Sequence, residues 1–275
     1  MIIGVSNTGA DGRETRALPP AMQVAAAMDK ASDHDPISML LRKLESIAGL
    51  SDEERQAIQS LPLRIRVLRP GQDIVQDGEK PSQCCLVVEG WAFRYKLLNE
   101  GKRQILSFHV PGDVPDLQSL HLQTMDHSLA TLTEATVAFI PHEDLRELIV
   151  RFPSIAGALW RDTLVDAAIF REWMVGIGRK SSYGRIAHLF CEMYLKLEAV
   201  GLAQEHRYTL PLTQAQLADA LGMSNVHANR VLQEMRSKNL ITLKSSALVI
   251  HAWSELVRAG EFDPTYLHLE KRASG

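Results

Sequence analysis

The spacing of apolar residues changes several times along the chain, and the changes divide it into segments. From Ile37 onward, Leu40, Leu41, Leu44, Ile47 and Ala48 recur at helical spacing, and Ser51 followed by Glu54 has the form of a capping box opening a second short helix. Between about 62 and 140 the runs are short and rich in β-formers: LRIRVL, CCLVVEGWAFRYKLL, RQILSFHV and ATVAFI. Glycines at 71, 78, 90, 101 and 112 punctuate this stretch. Such a pattern predicts an antiparallel β-sandwich or barrel, with a hairpin turn at Asn99 to Lys102. After Pro141 the sequence HEDLRELIVRF predicts a short helix ending near Pro153, followed by a long one over about 154–177. On the long helix Ile155, Leu159, Trp160, Leu164, Val165, Ile169, Phe170, Trp173 and Val175 point in nearly every direction. A helix without a wide polar face must be covered on more than one side. Either the β domain and a second copy of the chain share it, with Phe170 facing the partner, or it lies inside one monomeric core. GIGRKSS, Gly176 to Ser182, is the expected hinge. An amphipathic helix follows, with Ile186, Leu189, Phe190, Met193, Tyr194 and Leu197 on one face.

The most specific segment is LTQAQLADALGMSNVHANRVLQEMRSKNLITL, residues 212–243. Thr213 can cap a helix carrying Leu217, Ala218 and Leu221, Gly222 ends it, and Ser224 caps a second helix running through Arg236. Ala228, Val231, Leu232 and Met235 form the inward stripe of that second helix. Two helices joined by a few residues with glycine at the turn make a helix-turn-helix, whose second helix enters a DNA major groove. Its outward face carries Asn225, Val226, His227, Asn229, Arg230 and Gln233. Arginine pairs bidentately with guanine, Asn or Gln with adenine, and valine meets a thymine methyl. LITL and ALVI flank Lys244-Ser245-Ser246 and read as a two-stranded wing. From 213 to 251 the basic residues Arg230, Arg236, Lys238 and Lys244 outnumber Asp219 and Glu234, the sign that a DNA-facing surface needs.

Composition narrows the classes. The 275 residues are 45% hydrophobic and 23% charged with a net charge of -3, which excludes wholesale disorder and a uniformly basic nucleic-acid coat. Three cysteines, Cys84, Cys85 and Cys191, give no disulfide framework. No apolar run approaches the ~18 residues of a membrane span. The start, MIIGVSNTGADGRE, lacks the basic and apolar regions of a secretory signal. A cytoplasmic location without membrane partners is therefore expected. Residues 1–36, with Pro19-Pro20, are expected to form a loosely ordered tail, and residues 261–275 a C-terminal tail.

From about residue 37 to 253 the chain resembles the Crp/Fnr superfamily of bacterial transcription regulators. The matching pieces are RPGQDIVQDGEKPSQCCLVVEGWAFRYK, SFHVPGD, the long helix, GRIA at 184–187 and the helix-turn-helix ending SKNLI. The resemblance implies an α+β chain: a jelly-roll-like antiparallel β-roll sensor domain with flanking helices over 37–153, a dimerisation helix and hinge over 154–179, and a winged helix-turn-helix over 180–260. It implies a homodimer on a palindromic site in double-stranded DNA, with RNA polymerase as a further partner. Thr213, Ser224, Asn225, Val226, His227, Asn229, Arg230, Gln233 and Lys244 are the candidate DNA-binding residues. Arg230 falls where the family places a base-reading arginine, whereas Ser224-Asn225-Val226 replaces the familiar Ser-Arg-Glu.

The resemblance also locates a degenerate effector pocket at Asp116, Leu117, Gln118, Ser119, His127 and Ser128. Cyclic-nucleotide-binding members use Gly-Glu-Leu and a later Arg-Ser there, so that Glu accepts from the ribose hydroxyl and Arg neutralises the phosphate. Here the stretches read Asp116-Leu117-Gln118 and His127-Ser128. Leucine cannot bind a hydroxyl, and a neutral histidine is a poor replacement for arginine. Neither cyclic AMP nor cyclic GMP is expected as effector. Iron–sulfur members need four cysteines, most near the N-terminus, so no cluster is expected either. Cys84 and Cys85 fall on opposite faces of one strand, with ordinary packing expected for the buried one. His109, His121 and His127 lack the tight spacing of a metal motif. Two other classes stay in view: a sensor whose winged helix contacts another protein, and a metal-dependent β-barrel enzyme.

Overall fold

The computed structural model describes residues 36–269. Of the expected tails, residues 1–35 and 270–275 lie outside the described residues. Helix α1 (Pro36–Glu45) buries Ile37, Met39, Leu40, Leu41 and Leu44. Helix α2 (Asp52–Gln59) opens on the Ser51/Glu54 capping box, with both reciprocal bonds made. Seven strands follow: β1 (Arg64–Leu68), β2 (Asp73–Val75), β3 (Gln83–Glu89), β4 (Ala92–Leu97), β5 (Arg103–His109), β6 (Ser128–Thr131) and β7 (Ala135–Pro141). They form two antiparallel sheets, in the orders β1-β7-β3 and β2-β6-β4-β5. The five punctuating glycines all take positive φ. The sequence runs missed β2 and β6, which are only three and four residues long.

Strand β3 shows why its sequence reads as an unbroken apolar run. Cys84, Leu86 and Val88 face a core beneath α1 and the 3₁₀ turn Leu117–Leu120. Cys85 and Val87 face a second core with Leu68, Leu129, Val137 and Phe139. With both faces covered, period-2 alternation disappears from the sequence. Both thiols are fully buried, so ordinary packing holds for two cysteines rather than one, and burial raises the pKa of each.

Helix α3 (His142–Arg151) leads into the long helix α4 (Pro153–Arg179), and α5 (Ser182–Ala199) follows. The break between α4 and α5 is tighter than the expected hinge. Gly176 and Gly178 stay helical, and the chain turns at Lys180 and Ser181, where Ser181 caps α5 through Gly184 N–H. Helix α4 buries Ile155, Leu159, Val165, Ile169 and Trp173 but leaves Trp160, Leu164 and Met174 exposed by 69%, 55% and 73%. Phe170 is not on that exposed stripe. It is half-buried, with the Arg94 guanidinium 5.9 Å from its ring centroid.

Beyond α5 come β8 (Ala203–Gln204), β9 (Arg207–Thr209), α6 (Gln214–Leu221), α7 (Asn225–Ser237), β10 (Ile241–Lys244), β11 (Ala247–Ile250) and α8 (Trp253–Gly260). The wing is larger than its two expected strands, because β9 and β8 extend it to the order β10-β11-β9-β8. Residues 261–269 are not a free tail. Phe262 and Leu267 are buried, and a second 3₁₀ turn, Pro264–Leu267, packs on α4. There the Tyr266 hydroxyl donates to the buried Glu192 carboxylate at 2.6 Å, which also accepts from Trp173 Nε1 at 3.2 Å. One continuous apolar core runs from Phe93 and Phe108 of the roll, through Trp173, to Ile186, Phe190, Leu217 and Leu232. No helix among the described residues is long and apolar enough to cross a membrane.

Candidate DNA-reading surface and sensor cavity

The helix-turn-helix is built by local rules that its sequence states openly. Thr213 Oγ1 accepts from Gln216 N–H while Gln216 Oε1 accepts from Thr213 N–H, so this hydroxyl is engaged in a capping box that starts α6. Gly222 ends α6 at φ 61°, a left-handed turn that glycine adopts without steric cost. Ser224 Oγ then accepts from His227 N–H and starts α7. Ala228, Val231, Leu232 and Met235 are buried, which fixes the rotation of α7 and sends the opposite face outward.

That outward face carries Asn225, Val226, Asn229, Arg230 and Gln233, all exposed, whereas His227 is half-buried at its edge. Val226 is 73% exposed, although nothing in the fold requires an apolar side chain there. Asn229 Oδ1 accepts a hydrogen bond from Gln214 Nε2 at 3.4 Å, tying α7 to the start of α6. Lys244 is exposed at the end of β10, beside Ser245 and Ser246, both at positive φ in the wing turn. Lys238 pairs with Glu234 at 2.7 Å, and Arg103 of β5 holds Asp219 at 2.9 Å. Both acidic residues of the segment are thereby paired within the fold.

The six residues expected at the effector pocket do not converge. Leu117 and Gln118 border a small cavity between the roll and α4, of about 30 Å³. The Asp116 carboxylate turns away to accept from Cys85 N–H at 2.7 Å, and burial raises its pKa to about 7. Ser119 Oγ meets His142 Nε2 at 3.0 Å, and Ser128 Oγ accepts from Asp77 N–H. His127 Nδ1 lies 2.6 Å from Asp126, with Gln118 Nε2 3.4 Å from its other ring nitrogen. Burial and the Arg94 charge lower the His127 pKa.

What fills the cavity wall is a set of charges that sequence reasoning missed. Lys43 Nζ donates to Asp113 Oδ1 at 2.8 Å and lies 3.4 Å from Asp162. Lys196 Nζ lies 3.2 Å from Asp113 Oδ2 and donates to Phe108 O. Arg94 donates to Asp166 and, through Nε, to Pro115 O at 2.8 Å. Burial opposes the charge on Lys43, but Asp113 and Asp162 outweigh it and raise the pKa. Burial likewise opposes ionisation of Asp113, but Lys196 and Lys43 outweigh it and lower the pKa. His109, buried and facing the Arg94 charge, has its pKa lowered to about 4. A signal was present: Asp162 and Asp166 stand four apart on one face of a largely apolar helix, a repulsive pair unless cations face it.

Comparison with known proteins places both parts. Residues 65–152 match the family described as cyclic nucleotide-binding domain, and residues 184–259 match the Crp-like helix-turn-helix domain. The nitrogen fixation regulation protein FixK of Rhizobium meliloti is 26% identical over 195 residues, covering 70% of this chain and 85% of that protein. The transcriptional activator protein FnrL of Cereibacter sphaeroides is 24% identical over 208 residues, covering 74% and 83%. The solved structure of FixK2 from Bradyrhizobium japonicum superposes with a TM-score of 0.66 at 24% identity, covering 72% of this chain and 98% of that one. The chain therefore belongs to the Crp/Fnr superfamily, and it is a DNA-binding transcription regulator rather than an enzyme.

Proposed function

We propose that the chain regulates transcription as a two-fold dimer on a palindromic operator, without cyclic AMP or cyclic GMP as effector. Helix α7 enters the major groove, where Arg230 reads a guanine, Asn225, Asn229 and Gln233 offer further bonds to base edges or phosphate, and Val226 meets a thymine methyl. Ser224, Thr213 and His227 border the groove, and Lys244 holds phosphate from the wing. The observation that carries this reading is the outward face of α7, where an exposed valine and an arginine without an ion pair among the described residues stand side by side.

The exposed side of α4 supports the dimer. Gly157, Trp160, Leu164, Ala167, Arg171, Met174 and Gly178 recur at alternating spacings of three and four, the seam of a coiled coil. A second copy of α4 would cover it, and RNA polymerase would be met by the dimer on DNA. The absence of a permanent countercharge at Leu117 and His127 supports independence from cyclic nucleotides, because a buried phosphate without one is costly.

Substitution on a selected operator tests the base-reading claim. Arg230→Ala should cost about 1–3 kcal/mol of specific binding and relax preference at one base pair, whereas Lys244→Ala should weaken all sequences alike. Unchanged affinity and preference in Arg230→Ala would overturn the assignment. Calorimetry with millimolar cyclic AMP and cyclic GMP tests the effector claim: no binding is expected, and micromolar binding of either would contradict it.

A further inference from the structure

The cavity beside Leu117 and Gln118 is bordered by three cations and three carboxylates, and their origins differ. Lys43 comes from α1, Arg94 from β4 and Lys196 from α5. Asp113 comes from the loop after β5, whereas Asp162 and Asp166 both come from α4. His109, with its pKa lowered to about 4, adds no charge near neutral pH. The set is balanced, and the space left is about 30 Å³, room for roughly two waters.

We propose that Asp162 and Asp166 are an internal ligand of the sensor: the carboxylates of α4 occupy, on the roll's own cations, the place that a diffusible anion would take. Lys43 and Arg94 are nearly enclosed, with side chains 15% and 5% exposed, and would be costly to bury unpaired. Two aspartates four residues apart repel one another, so their placement is favourable only against these cations. The arrangement therefore fastens the long helix to the roll through charge that the chain itself supplies. A free carboxylate or phosphate finds every cation of this cavity already matched. This deepens the effector reading above: besides the missing nucleotide ligands, the cations beside Leu117 and Gln118 are matched by carboxylates of the chain itself.

The test is thermal melting of the full chain, with sodium acetate replacing sodium chloride at constant ionic strength. Asp166→Ala should melt on the order of 5–15 °C below wild type in chloride, because Arg94 keeps Pro115 O but loses its carboxylate partner. Acetate should then restore part of that loss in a saturable way, entering the hole as a detached copy of the missing side chain. Asp166→Leu, which fills the hole with an apolar group, should show only the small acetate shift of wild type. If Asp166→Ala is too unstable to melt cooperatively in chloride, its refolding yield in acetate against chloride reads the same rescue. Equal acetate shifts in wild type and Asp166→Ala, or a variant as stable as wild type, would overturn the proposal. No DNA or nucleotide is present, so that failure would leave the DNA-binding and cyclic-nucleotide readings standing.

Discussion

At the scale of single residues, Asp116 carries a pH dependence whose sign runs against the usual acidic one. Its carboxyl is buried and its pKa lies near 7, against an ordinary value of 3.8. Between those values the folded chain keeps a proton that the unfolded chain has released, so this group's contribution falls as pH rises and its penalty is complete above about pH 7. An amide at this position keeps an acceptor for Cys85 N–H without titrating. Asp116→Asn should therefore gain stability relative to wild type by about 1–3 kcal/mol between pH 5 and pH 8, read by urea unfolding at both. A gap that stays constant with pH would contradict the assignment. The same residue marks a limit of the sequence. Asp116, Ser119 and Ser128 were placed in the effector pocket by resemblance, yet each bonds elsewhere in the fold, because side-chain direction in a loop is set by neighbours distant in the chain. The DNA-facing residues were more legible, since caps and inward stripes act locally and fix which face of α7 remains outward.

At the scale of elements, the packing of α8 on α5 depends on one close approach. A Cβ on Gly260 would lie 2.7 Å from His188 N and 2.9 Å from His188 Cα, a backbone that cannot step aside. Gly260→Ala should destabilise the chain by about 1–3 kcal/mol, measured as a lower urea midpoint with unchanged slope. A midpoint equal to that of wild type would show that the two helices separate without cost. The elements themselves were largely readable: the short helices, the long α4, the glycine-punctuated strands and the helix-turn-helix follow from period and punctuation. The expected hinge over 176–182 is wider than the observed turn because glycine reads as a breaker. In α4, Gly176 and Gly178 remain helical, and the turn falls on Lys180 and Ser181, where Ser181 supplies the cap. The strands β8 and β9 were too short to give a pattern, and the packing of residues 261–269 rests on Phe262, Tyr266 and Leu267 meeting partners far back in the chain.

At the scale of the whole molecule, one apolar core joins roll, long helix and winged helix. Packed side chains and the Arg103–Asp219 pair thus connect the roll and α4 to α6 and α7. The exposed stripe on α4 is the complementary feature. Leu164→Asp should give a folded monomer with poor operator affinity, read by sedimentation, whereas Phe170 lies against Arg94 and would confound roll and dimer effects. A wild-type chain that sediments as a monomer on its operator would remove the dimer. The most direct measurement of the central claim is selection of binding sites from random DNA by the full chain, with no nucleotide added. An enriched site with two-fold symmetry is expected, its half-site centres separated by about one helical turn, ~10 base pairs. A selection that enriches no sequence, or enriches one only when cyclic AMP or cyclic GMP is supplied, would contradict it.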